Sequence, residues 1–263
     1  VRWLTTLEAR SHLEQNGRRA VLVDSSVLFH GVTHETAWIS TGHARVGKIG
    51  FDTGYAARVP VHAENCDAEV FPHVRFLPGI THLARTGHLR LCTSAELMAE
   101  QFRQPIGRFH GYGYDDLNLF TGLKMDSVDG RHLDLRHPTR KQLERVAACT
   151  DPLYRRLVGV LGEKNSLDAY HIFTAERHGL FCFLHLDLRL DRLVAHHNRN
   201  PIFGELRTKI MLPAALGTEL KLTPMSPRLL SYEDVAFFSR PDLFIPGQMR
   251  RPPKRDKPKS AGP

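Results

Sequence analysis

The alternation of apolar and polar positions divides the chain into short buried runs separated by amphipathic segments. VLV at 21–23 is such a run; it ends in Asp24, and SSVLFHG after it reads as a helix start or a tight loop. Ahead of it, LTTLEARSHLEQNGRR has helical spacing, with Thr5 or Thr6 as the cap and Gly17 as the stop. Between residues 31 and 73 the pattern alternates and is punctuated by glycine, as in TAWISTGHARVGKIGFDTGYAARVPVHA, which predicts a hairpin-like insertion rather than a helix. PGITHLARTGH then predicts a helix opened by Pro78, HLRLCT a strand, and TSAELMAEQFR a helix stopped near Pro105.

Residues 106–138 are rich in Gly, Asp and His and read as a long loop, a length that in a compact domain usually signals function or mobility. RKQLERVAACTDPLYRRLVGVLG predicts two helices broken at Asp151 and Pro152. NSLDAYHIFTAERHGL predicts an amphipathic helix ended by Gly179, LFCFLHL a buried strand running to Asp187, and TELKLTP (218–224) one more strand. Strands separated by helices imply an α/β fold: three α/β/α layers around a mostly parallel sheet, in a single domain spanning 1–246.

With 41% hydrophobic residues, 263 residues can bury a substantial core, which excludes disorder throughout. No apolar run approaches the roughly 18 residues of a membrane span, since LFCFLHLDL is broken by His185 and Asp187. The expectation is a soluble protein without membrane association. The N-terminus does not resemble a signal segment, and Val1 in place of Met suggests a trimmed start. The four cysteines, Cys66, Cys92, Cys149 and Cys182, form no C-x-x-C pair, which argues for reduced thiols and a cytoplasmic location.

Much of the +8 net charge lies in residues 247–263, where Arg250, Arg251, Lys254, Arg255, Lys257 and Lys259 face Asp256 alone. This proline-containing tail has no apolar periodicity. It reads as a disordered, basic segment attracted to polyanions such as nucleic acid, or as a plain solubilising tail.

Four acids carry the candidate chemistry. Asp24 and Asp187 follow predicted strands, where α/β folds gather their ligands, and Glu96 and Asp168 stand at predicted helix starts. Each alone has an ordinary structural role. Asp24 and Asp187 can cap or turn the chain, Glu96 can close a T-x-x-E capping box with Thr93, and Asp168 suits the positive end of a helix. Together they would form a pocket of hard oxygen ligands whose mutual repulsion a Mg²⁺ or Mn²⁺ ion relieves. Glu100, one turn beyond Glu96, is the reserve acid on the same helix face.

VLVDSSVL, TSAELMAE, the D-A-x-x-x-x-x-A-x-x-x-G run of DAYHIFTAERHG and the L-x-x-D of LHLD together resemble the PIN domain family of metal-dependent nucleases. The resemblance implies that Asp24, Glu96, Asp168 and Asp187 are the catalytic and metal-binding acids, that Ser26 and Asn165 support them, and that RNA is the substrate. Ions held there would activate water for in-line attack on phosphorus. Arg189 and the tail residues Arg250, Arg251, Lys254 and Arg255 would contact nucleic acid. A homodimer and a protein inhibitor are further partners compatible with this reading. The sequence departs from the family at the insertion 31–73 and at His185, which stands where a Thr or Ser usually supports the final Asp. A non-catalytic scaffold for RNA or protein, and a DNA-directed nuclease, are the alternatives.

Other constellations are weaker. His62, Cys66 and His73 could bind zinc, but at a spacing that fits no strong pattern. Neither a G-x-x-x-x-G-K-[ST] nor a G-x-S-x-G stretch occurs. Phe109, Tyr112 and Tyr114 in GRFHGYGYDD could stack on bases, and packing of these rings on the core is the expected alternative.

Overall fold

The computed structural model describes residues 2–64, 67–113, 115–130, 138–233, 235, 239 and 240. In chain order its strands are β1 (Arg19–Val23), β2 (Val32–Val46), β3 (Ile49–Pro60), β4 (Leu89–Thr93), β5 (Leu117–Asn118), β6 (Asp126–Ser127), β7 (Cys182–Leu184), β8 (Lys209–Met211) and β9 (Ser239–Arg240). Five of them form a sheet in the order β6-β4-β1-β7-β8, and every pairing in it is parallel. Helices flank this sheet on both faces, because its central strands carry apolar residues on both sides, Val21, Leu22 and Val23 in β1, Leu91 and Cys92 in β4 and Cys182–Leu184 in β7, and cover two cores at once. Val21 and Val23 of β1, Leu91 of β4 and Leu184 of β7 pack with the helices Leu7–Asn16, Leu77–Arg85 and Pro213–Glu219. Leu22, Cys92 and Phe183 point the other way, towards Ala95–Phe102, Pro152–Leu161 and Ser166–Arg177.

Local chemistry sets the helix ends. Asp24, Ser94, Asp151 and Asp187 each accept a backbone N–H at a helix start. Gly179, at φ 61°, turns the chain out of Ser166–Arg177. Among the described residues no helix is long and apolar enough to cross a membrane.

The hairpin expected between 31 and 73 is present. β2 and β3 pair antiparallel from His34 opposite Pro60 to Val46 opposite Ile49, around a turn in which Gly47 has φ 62°. Its base is buried at Val32, Ala57 and Val59, whereas Trp38, Val46, Ile49 and Phe51 farther out are exposed. Arg58, wholly buried, anchors that base: its Nε donates to the Asp115 carbonyl at 2.7 Å and its Nη1 to the carbonyls of Ser231, at 2.9 Å, and Glu233.

Two expectations about elements need correction. TELKLTP is not a strand. Pro213 opens a helix to Glu219, Leu216 and Leu220 bury with helical spacing, and Lys221 turns out at φ 59°; the edge strand is β8, upstream. The stretch 106–138 is not loop throughout, since it holds the helix Gly107–His110, β5, and β6, which extends the sheet. Residues 131–137 of it, and 247–263 of the expected tail, lie outside the described residues.

Two outcomes follow. Arg58→Met leaves the Asp115, Ser231 and Glu233 carbonyls without this donor, the first two of them buried, and lowers stability by about 3 kcal/mol, measured by urea unfolding. Burial, with Arg58, His62 and Arg228 nearby, lowers the His34 pKa from 6.5 to about 3. The unfolded chain therefore takes up a proton that the fold refuses, so stability falls as pH drops from 6.5 towards 3. The contribution is at most about 1.4 kcal/mol per pH unit, and unfolding of His34→Gln across that range shows a shallower slope.

Candidate metal centre

The carboxyl ends of β1 and β7 lie side by side, and the chain leaves each through an acidic cap. Asp24 Oδ2 accepts the Ser26 N–H at 3.0 Å and also the Ser26 hydroxyl. The Ser26 oxygen in turn accepts the Leu186 N–H at 2.9 Å, so one hydroxyl ties the end of β1 to the segment after β7. Asp187 Oδ1 caps the helix Leu188–His196 through the N–H groups of Arg189 and Leu190. Asp168 sits in the first turn of Ser166–Arg177, and His171 follows it by three residues, near the same face of that helix.

These elements enclose a cavity of about 620 Å³ whose wall carries four carboxylates, Asp24, Glu100, Asp168 and Asp187. Ligand atoms of Asp24, Glu100 and His171 all lie within 4.8 Å of one another, the one such group of three or more His, Cys, Asp or Glu among the described residues. His171 Nε2 and Glu100 Oε1 are 3.0 Å apart. Three arginines, Arg103, Arg108 and Arg189, share the wall with the acids. Arg189 Nη2 lies 3.7 Å from Asp168 Oδ2 and 3.8 Å from Asp187 Oδ2.

The charges are strongly coupled. Burial pushes the Asp168 carboxyl up to about 6, helped by the negative charges of Asp24 and Asp187 and opposed by His171 and Arg189. Burial alone would keep His171 neutral, but Glu100, Asp24 and Asp168 raise its pKa to about 9. The protonated ring is thus the internal counter-ion of the acids. Burial also works against the charged form of Glu100, yet the ion pair with His171 holds that carboxyl below its ordinary range.

Glu96 does not join this group. Ser94, not Thr93, caps the helix, accepting the Leu97 N–H at 3.3 Å, so Thr93 remains in β4 and no capping box forms. Glu96 is buried against the helix Thr139–Ala147, where Arg145 grips it with Nε at 2.7 Å and Nη2 at 2.6 Å, and it lines a separate cavity of about 200 Å³. One turn on, about 6 Å along the axis, Glu100 takes the place expected of it.

The other expected residues divide. Ser26 lies where a support for Asp24 should, whereas Asn165 donates its amide to the Leu161 carbonyl at 2.6 Å and is not on the cavity wall. His185 is also off the wall: it is wholly buried, stacked on Phe183 at 5.7 Å, and neither ring nitrogen makes a well-formed hydrogen bond. Burial lowers its pKa despite the neighbouring Asp24, Asp191 and Asp187, so it is neutral and does not balance the carboxylates. Arg250, Arg251, Lys254, Arg255 and Cys66 lie outside the described residues. His171 went unrecognised in the sequence, although its spacing of three from Asp168 on a helix was the available signal.

The donor set fits a divalent ion. Asp24, Glu100, Asp168 and Asp187 supply hard oxygen atoms, which suit Mg²⁺ and Mn²⁺ alike, while the protonated His171 holds Glu100 and is not itself a donor to the ion. His171 Nδ1 is buried without a hydrogen-bond partner, so the Nε2 side of the ring carries the contact with the acids. No family model, curated protein or solved structure matches the chain.

Glu96 and Glu100 are therefore expected to behave oppositely when replaced by Gln. Glu96→Gln leaves Arg145 without its bidentate partner and costs about 2 kcal/mol, a drop of several degrees in Tm, while the rise in Tm on adding Mn²⁺ survives. Glu100→Gln abolishes that rise. Calorimetry of both variants with and without Mn²⁺ checks this, and the reverse pattern would return Glu96 to the site.

Proposed function

We propose that the chain is a divalent-metal-dependent nuclease of PIN-like character that hydrolyses RNA phosphodiester bonds. One observation carries the reading: four carboxylates line a single cavity at the carboxyl ends of adjacent parallel strands, with three arginines beside them and the buried His171 imidazole behind Glu100. Acids alone would repel a polyanion. Arg103, Arg108 and Arg189 supply the opposite charge at the same opening, and guanidinium groups match phosphate oxygens in geometry as well as in sign.

Asp24, Glu100, Asp168 and Asp187 would hold Mg²⁺ or Mn²⁺, which supplies Lewis acidity and lowers the pKa of water at the site. The chain's own part is positional. Ser26 holds Asp24 through one carboxylate oxygen and leaves Oδ1 free to face the cavity. Arg189 bridges Asp168 and Asp187, and because it is 70% exposed it can swing from them to a phosphate when an ion takes over their charge. His171 fixes the Glu100 carboxylate by a hydrogen bond, which limits its rotamers to those facing Asp24.

The RNA preference rests on the resemblance of VLVDSSVL and DAYHIFTAERHG to the PIN family. Incubation of the full chain with an RNA and a DNA of the same sequence, with Mn²⁺, tests it. Cleavage of RNA that Asp24→Asn reduces by three orders of magnitude or more, with an unchanged Tm in the absence of metal, is the expected result. RNA binding without cleavage by the wild-type protein would replace the enzyme with a scaffold, and preferential cutting of DNA would change the substrate.

A further inference from the structure

A second cavity, of about 490 Å³, adjoins the carboxylate cavity and shares Phe29 and Arg108 with it. Its remaining walls come from the base of the hairpin, at Glu35 and Thr36, and from the segment 105–116, chiefly Tyr112 and Asp116. The hairpin is the part of the chain that departs most from compact PIN domains. Here it forms one side of a compartment next to the acids.

Hydrogen bonds tie the walls of the compartment together. Asp116 accepts the Thr36 N–H at 2.5 Å and hydroxyl at 2.8 Å, and also the Tyr112 and Gly113 N–H groups at 2.6 and 2.9 Å. That one carboxylate sews the 111–116 turn to the hairpin. Gly111, at φ 87°, and Gly113 have no room for a Cβ against Asp116 and Thr36, which accounts for the G-Y-G spelling. Tyr112 packs its ring over Gly107, where a Cβ would collide with it, yet remains 70% exposed. It is a supported ring with an open surface, not a core residue as the pattern suggested. At the junction of the two cavities the Arg108 guanidinium lies 4.8 Å from the centre of the Phe29 ring, held by a 2.6 Å bond from Nη1 to Gln104 Oε1.

The charges decide what fits. Arg108 faces both cavities, but Glu35 and Asp116 line only the second, so a second phosphate is disfavoured there while an uncharged, flat, hydrogen-bonding group is not. A volume near 500 Å³ is within the ordinary range for a small-ligand pocket. We propose that this cavity is a base-binding subsite: it takes the nucleobase adjoining the phosphodiester held over the carboxylates, stacked on Tyr112, with Arg108 on the phosphate between the two nucleotides. This rests on the nuclease reading, and it assigns the hairpin insertion and Tyr112 a role in choosing the substrate. Stacking needs an open ring face, so the base must be unpaired.

The test is a coupling experiment on the full chain with Ca²⁺ in place of Mn²⁺. A labelled oligoribonucleotide of eight nucleotides, and versions with each nucleotide in turn made abasic, are titrated against wild-type, Tyr112→Phe and Tyr112→Ala protein by fluorescence anisotropy. Wild type and Tyr112→Phe should lose about tenfold in affinity at one abasic position. Tyr112→Ala should bind the intact strand about tenfold more weakly and be indifferent to that position. Equal losses for all three proteins at every position, or wild-type affinity in Tyr112→Ala, would overturn the subsite, as would a Tyr112→Phe that behaves like Tyr112→Ala. Mn²⁺-dependent cleavage, followed on the same proteins, judges the nuclease reading separately. A wild-type protein that shows the coupling but never cleaves removes the catalysis and keeps the base site, whereas one that cleaves without coupling does the reverse.

Discussion

Everything at this site depends on holding carboxylates closer together than water would tolerate. Asp24, Asp168 and Glu100 converge where the strands end, and the ion pair between Glu100 and the buried His171 ring is what makes that arrangement stable in the absence of a cation. The pair also sets the charge pattern around it. With His171 protonated, its charge offsets Glu100 and Asp24 from inside, while Arg189 lies beside Asp168 and Asp187 at the surface. A divalent ion entering the cavity would relieve the same repulsion more completely, which is why the arrangement fits both states.

The acids are not decorations added to a finished fold. Asp24 and Asp187 close helix starts with one carboxylate oxygen each, Oδ2 in the first and Oδ1 in the second. The other oxygen of each takes no part in the cap, and that of Asp187 lies 3.8 Å from Arg189 Nη2. A helix cap and a ligand want the same thing, a carboxylate held in one orientation at the mouth of a strand, so local folding pre-positions the site. Ser26 extends this economy by accepting the Leu186 N–H, which locks the spacing between the two strand ends on which Asp24 and Asp187 stand.

The hairpin is attached through a different interaction. Arg58 passes through its base and gathers three carbonyls from two segments distant in sequence, Asp115 in one and Ser231 and Glu233 in the other. Asp116, next to Asp115, then fastens the Tyr112 turn to Thr36. The two contacts place the hairpin base and the glycine-rich turn against the helix that follows Asp24, so an insertion far from the sheet ends beside the acids.

The sequence by itself determined the α/β alternation, the hairpin, the two helices broken at Asp151, and the positions of Asp24, Asp168 and Asp187, because strand ends and helix caps are local events written in adjacent residues. Ser26 was legible for the same reason. Only the tertiary structure decided between Glu96 and Glu100, since both lie on one helix face and the choice was made by Arg145, 49 residues away from Glu96, which claimed the first of them. His171 became visible only once Glu100 stood opposite it, and Asn165 and His185 turned inward to partners or rings that local pattern does not announce. TELKLTP misled because four alternating residues carry less information than the leucine spacing and the proline that precede them. What a residue is at a strand end can be read from its neighbours in sequence; which of two acids faces a cavity depends on long-range charge partners, and those are chosen by packing.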